Sequence, residues 1–146
     1  MIKLCSALLL VSLAACSGSP ANDRIGAANL NGLPILPTTI TLAVGASTDV
    51  PSANLRIRFD SVTADSRCPT SVKCVWAGEA TVALTVTQLS GTMSAQLLSL
   101  STTAGKDTAT SYGQPIRLVS VQPFPVITTP IAQPLYRIEL KVGAGK

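Results

Sequence analysis

The sequence predicts an all-β domain, a small antiparallel β-sandwich of six or seven strands. Three observations carry that reading. From position 37 onward the apolar residues recur with period two and not 3.6. The alternating runs are short, rich in Thr and β-branched residues, and bounded by Gly, Pro and Asn. Beyond the first fifteen positions no segment offers an amphipathic helical face.

The first predicted strand alternates Ile40, Leu42 and Val44 with Thr39, Thr41 and Ala43, and Gly45 turns the chain. The next alternates Leu55, Ile57 and Phe59 with Arg56, Arg58 and Asp60. Val62 falls off that phase, which predicts a bulge or the strand's end. Val82, Leu84 and Val86 define a third strand, and Gly91 makes a hairpin-type break. Residues 95–100 form a strand of less regular phase. Residues 102–113 are polar and read as a loop. Residues 116–121 form another strand. Residues 122–134 contain Pro123, Pro125, Pro130 and Pro134, too many for a sheet, and read as an extended crossing segment. The last strand places Tyr136, Ile138, Leu140 and Val142 on one face and Arg137, Glu139 and Lys141 on the other. The sum is a sandwich, Ig-like in general architecture, with a small closed barrel as the alternative.

Composition narrows the chemistry. The chain has 146 residues, one domain's worth, with 47% hydrophobic, 12% charged and 3% aromatic residues. It contains no histidine, so this chain alone cannot build a histidine-based triad or a histidine-liganded zinc or haem. The net charge is +4, but the cations are scattered singly, which argues against a nucleic-acid surface. No Gly-x-Ser-x-Gly, Ser-x-x-Lys or Gly-rich phosphate loop occurs. Asp60, Asp65 and Glu79 are the acids closest in sequence that could pair for acid–base work. They read more simply as strand-face charges or turn formers. No catalytic residue, metal site or cofactor is predicted, and the chain is read as non-enzymatic.

The N-terminus has the order of a secretory signal: Lys3, an apolar run from Leu8 to Leu13, then small residues. That run is shorter than the ~20 residues needed to span a bilayer. Leu13-Ala14-Ala15-Cys16 resembles the lipobox of bacterial lipoprotein precursors. The resemblance implies cleavage before Cys16, acylation of that cysteine, and anchoring in a membrane of the cell envelope. Ser17, where some relatives have aspartate, implies the outer membrane if the cell is Gram-negative. The expected organisation is a signal peptide at 1–15, a lipidated cysteine and flexible tether at 16–36, and the β-sandwich at 37–146.

In an exported domain, Cys68 and Cys74 are expected to form a disulfide. Free or redox-labile thiols are the alternative, although a redox pair usually has tighter Cys-x-x-Cys spacing. A metal site lacks ligands, since two thiolates need two more nitrogen or sulfur donors.

The cysteines fall within the densest constellation of the chain, Asp65-Ser66-Arg67-Cys68-Pro69 followed by Cys74-Val75-Trp76-Ala77-Gly78-Glu79-Ala80. These two stretches resemble a pattern shared by a group of small bacterial lipoproteins, a resemblance that implies no particular activity. Read physically, Trp76 covers the disulfide or caps the sandwich edge, while Asp65, Arg67 and Glu79 form one ion-pair cluster. The functional reading makes Asp65, Arg67, Trp76 and Glu79 an interaction loop, with Trp76 and Arg67 as anchors of the types enriched in hot spots. The expected function is an envelope lipoprotein that acts as a binding module. Its partners would be the membrane, through Cys16, and an envelope protein or glycan. A purely structural lipoprotein and an inhibitor-type module directed at an exported protease are the alternatives.

Overall fold

The computed structural model describes residues 37–91 and 94–143. The signal-peptide, lipidation and tether expectations at 1–36, Cys16 included, lie outside the described residues. Within them the chain forms eight strands: β1 (Thr38–Ala43), β2 (Ser47–Val50), β3 (Leu55–Asp65), β4 (Ala80–Gln88), β5 (Gln96–Ser101), β6 (Thr108–Ser111), β7 (Gln114–Gln122) and β8 (Arg137–Val142). They build two antiparallel sheets of four, in the orders β1-β8-β7-β6 and β2-β3-β4-β5.

The period-two pattern explains why these sheets face each other. Leu42, Ile116, Leu118, Val121, Ile138, Leu140 and Val142 point inward from one sheet. Val50, Leu55, Ile57, Phe59, Val82, Leu84, Val86 and Leu100 point inward from the other, and all belong to one hydrophobic core. Each such side chain contributes about 1.5–3 kcal/mol of burial free energy, which makes aliphatic interdigitation the main stabilising force. The connectivity is a meander and lacks the Greek-key order of immunoglobulin domains. Sheet neighbours are sequence neighbours except at β1 and β8, where the first and last strands pair from Thr38↔Val142 to Ala43↔Arg137.

The bulge expected near Val62 is present. The β3–β4 register shifts between Phe59 and Ser61 and again between Val62 and Ala64. Those shifts let Phe59 and Val62, three positions apart, both reach the core. A similar shift between Leu118 and Ser120 buries Leu118 and Val121 and leaves Val119 exposed.

Two expectations need correction. The strand count is eight among the described residues, not six or seven, because β2 and β6 are additional. The segment 102–113 is not all loop: β6 lies within it and pairs with β7 from Thr108↔Arg117 to Ser111↔Gln114. Its inward residue is a serine, and the Ser111 hydroxyl donates to the Gln96 side-chain carbonyl at 2.7 Å. A strand whose buried position is polar has no apolar alternation to read.

The Pro-rich segment after β7 forms no strand. It begins with a cis peptide at Gln122–Pro123 and ends in a 3-10 turn over Gln133–Leu135. This segment and the β3–β4 loop lie at the same end of the sandwich. Thr38, where the chain enters β1, lies at the other end, because it pairs with the last residue of β8.

Candidate recognition surface at the loop end

β3 and β4 continue as a hairpin beyond their last ladder pair. The Ser66 N–H donates to the Glu79 carbonyl at 2.8 Å, and the Cys68 N–H donates to the Ala77 carbonyl at 2.9 Å. Gly78 makes the close approach possible. Its φ is +67°, and a Cβ there would stand 1.8 Å from the Ser66 carbonyl oxygen. The expected disulfide is present, with Cys68 and Cys74 joined across a Cα separation of 5.9 Å.

Arg67 is the centre of the loop end, and its side chain is 6% exposed. Its Nε and Nη2 donate to the two Asp65 carboxylate oxygens at 2.8 and 2.6 Å. Nη1 donates to the Val121 carbonyl at 2.5 Å, and Nη2 also donates to the Pro123 carbonyl at 2.9 Å. The guanidinium carbon lies 5.0 Å from the centroid of the Phe124 ring, a cation–π distance. One arginine thus fastens the end of β3 to the start of the Pro-rich segment.

Other bonds complete the connection. The Gln133 side chain accepts from the Val62 N–H at 3.0 Å and donates to the Val62 carbonyl at 2.7 Å. The Tyr136 hydroxyl donates to Asp65 at 2.9 Å. The Thr70 and Ser71 N–H groups donate to the Pro125 and Val126 carbonyls, each at 3.1 Å. A cleft of about 290 Å³ runs between the two segments, lined in part by Val62, Asp65, Pro125, Ile131, Gln133 and Tyr136.

The titrating groups in that cleft are held in fixed states. Burial alone would raise the Asp65 carboxyl. Hydrogen bonds from Arg67 and Tyr136, with the guanidinium charge, outweigh it and hold Asp65 below its usual range. Burial, followed by the hydrogen bond to Asp65 and its negative charge, pushes the Tyr136 phenol up to about 12. Near neutral pH the carboxylate is therefore charged and the phenol protonated, which suits a tie and not a proton relay.

The structure divides the expected loop cluster. Asp65 and Arg67 meet as predicted. Glu79 does not join them: it accepts from the Ser101 and Thr103 hydroxyls, each at 2.6 Å, on the far side of β4. Those hydroxyls, with the Lys106 charge, hold the Glu79 carboxyl below its usual range. Asp60 is engaged elsewhere, accepting from the Thr85 hydroxyl at 2.6 Å. Trp76 neither covers the disulfide nor caps the sandwich. It is 81% exposed and its neighbour Val75 is 89% exposed. The core is filled by aliphatic side chains with Phe59 and Tyr136, and no inward position falls on Trp76.

Sequence reading missed the second half of this surface. Phe124, Val126, Ile127 and Leu135 of the Pro-rich segment are also exposed, as is Val72 in the disulfide loop. Their signal was the absence of charge: residues 123–136 contain no Asp, Glu, Lys or Arg. Comparison with family models, curated proteins and solved structures finds no match for this chain.

Proposed function

We propose that the chain is a lipid-anchored, non-enzymatic protein of the cell envelope whose loop end is a binding surface. The observation that carries the reading is the contrast within that end. A frame of buried ion pair, disulfide and inter-loop hydrogen bonds presents Val75 and Trp76 almost fully to solvent. Apolar side chains exposed on a preorganised loop have the character of recognition anchors, since little ordering cost remains on contact. The anchor itself rests on the lipobox-like Leu13-Ala14-Ala15-Cys16, and Ser17 after it favours the outer membrane if the cell is Gram-negative.

The binding reading is tested by photo-crosslinking in cells from positions 72 and 76, with position 139 on β8 as the control. Adducts formed with a discrete envelope component from the loop alone support it. Blank lanes, or the same adducts from position 139, leave a passive structural protein. The anchor is tested separately: Cys16→Ser abolishes metabolic labelling with palmitate if the lipobox reading holds.

A further inference from the structure

We propose that the loop end inserts shallowly into the interface of a lipid bilayer, giving the chain a membrane contact separate from Cys16. The inference rests on the reading of this end as the binding surface and names its partner as lipid. Three observations on the two loops favour it.

The first is the kind of side chain exposed. Val72, Val75 and Trp76 from one loop, and Phe124, Val126 and Ile127 from the other, stand outward on segments bonded to each other. An exposed Trp accompanied by exposed aliphatic residues suits the headgroup boundary, where its ring is buried and its N–H stays wet.

The second is charge. Residues 66–78 and 123–136 contain no carboxylate, and Arg67 is consumed inside the frame. Lys73 supplies the outward charge, of the sign that anionic headgroups attract. No anion has to be desolvated or brought against phosphate. A protein partner would call for a rim of specifying polar groups; the neighbours here are Thr and Ser hydroxyls, one lysine, and the Gln133 amide, which is already bonded to the Val62 backbone.

The third is backbone satisfaction, which a lipid environment demands. The N–H groups of Cys68, Thr70, Ser71 and Val72 all donate to carbonyls within the two loops. Prolines at 69, 123, 125, 130 and 134 have no N–H to satisfy. These four donors stay paired when the surface meets lipid, whereas the N–H groups of Val75, Trp76, Phe124, Val126 and Ile127 have no protein partner among the described residues and keep the insertion at the hydrated headgroup level.

Geometry permits the contact although Thr38 lies at the opposite end of the sandwich. An extended chain the length of residues 17–37 spans roughly 70 Å. The longest strand, β3, has 11 residues, and a strand of that length covers only about 36 Å. The domain can thus turn its loop end toward the membrane that holds Cys16.

The chain's single tryptophan makes the test direct. Full-length acylated protein is reconstituted in vesicles of phosphatidylethanolamine and phosphatidylglycerol. Trp76 emission should shift to the blue, become quenched by lipids brominated near the headgroup, and lose its quenching by aqueous iodide. The double variant Val75→Asp/Ile127→Asp should lose all three effects while staying vesicle-bound through Cys16, and its far-UV spectrum checks that it folds. Trp76 that stays open to iodide and untouched by bromolipid overturns the proposal. If loop-specific photo-adducts on a protein are then found, the lipid contact fails and the binding reading stands. If those adducts join two copies of this chain, a self-associating surface replaces the lipid contact. If no adducts form, both readings fall together.

Discussion

Arg67 and Asp65, two residues apart at the end of β3, hold each other through two charge-assisted hydrogen bonds of 2.6 and 2.8 Å with both side chains largely buried. The same guanidinium satisfies the Val121 and Pro123 carbonyls. Removing it leaves the buried carboxylate without a countercharge, held only by the Tyr136 hydroxyl and the backbone N–H of residue 67, and strands two backbone acceptors at once. Arg67→Ala is therefore expected to lower stability by about 3 kcal/mol. Arg67→Lys should fall between the two, since lysine keeps the charge and loses the planar fork. Urea midpoints measure both. A loss below about 1 kcal/mol for the alanine variant would place this pair with ordinary surface salt bridges.

Stability should fall at both extremes of pH, for two different residues. The folded state holds the Asp65 carboxyl below its ordinary value, so its contribution is present above about pH 4 and is lost as pH falls further. The folded state raises Tyr136 from 10.0 to about 12, so its contribution is complete below pH 10.0 and is lost as pH rises through 12. Denaturation at a series of pH values should show both slopes. Tyr136→Phe should flatten the alkaline slope and leave most of the acid one. An unchanged alkaline slope in that variant would remove Tyr136 as its cause.

Gly78→Ala should damage the loop end specifically. Left-handed backbone costs alanine about 1 kcal/mol or more, and the new Cβ meets the Ser66 carbonyl oxygen at 1.8 Å. The hairpin extension must open, and the total loss should be about 2 kcal/mol or greater. Amide exchange should show faster opening at Ser66 and Cys68, with β8 unaffected. Protection retained at both amides would mean the hairpin tolerates the added carbon.

The disulfide closes a loop of sequence separation 6. Loop-closure entropy for so short a loop predicts a loss of about 2 kcal/mol in the Cys68→Ser/Cys74→Ser variant, with the sandwich still folded. Calorimetry decides it, and complete unfolding would mean that the bridge supports the core and not just the loop.

Trp76→Ser and Val75→Ser should each change stability by less than about 0.5 kcal/mol, because exposed side chains contribute little to the folded state. A much larger loss in thermal unfolding would return Trp76 to a structural role.

The strands that were legible in the sequence are those whose inward positions are aliphatic. β3, β4 and β8 alternate Leu, Ile, Val and Phe with polar residues, and the phase break at Val62 announced the bulge. β2 and β6 were invisible because each has four residues and a single buried one, Val50 and Ser111. Their pairing comes from neighbours, not from their own pattern. The candidate site was half legible. The density of unusual residues marked the β3–β4 loop, and Asp65 with Arg67 lies close enough in sequence to suggest a pair. The carbonyls that complete the Arg67 shell are supplied by Val121 and Pro123, 54 and 56 positions away, and only the fold brings them there. For Glu79, pairing of β4 with β5 set Ser101 and Thr103 beside it, a competition that local spacing does not reveal.

The pairing of β1 with β8 also dictates the order in which the chain can be assembled. During synthesis β2 to β5 can zip as successive hairpins, each strand meeting a partner made moments before. β1 has no such partner. It must wait, edge uncovered, until Arg137–Val142 has emerged. A nascent or truncated chain ending before β8 would therefore carry an orphan strand with Ile40 and Leu42 in the open, a ready substrate for holdase chaperones. Completion of the last strand is the event that turns this polypeptide into a folded domain.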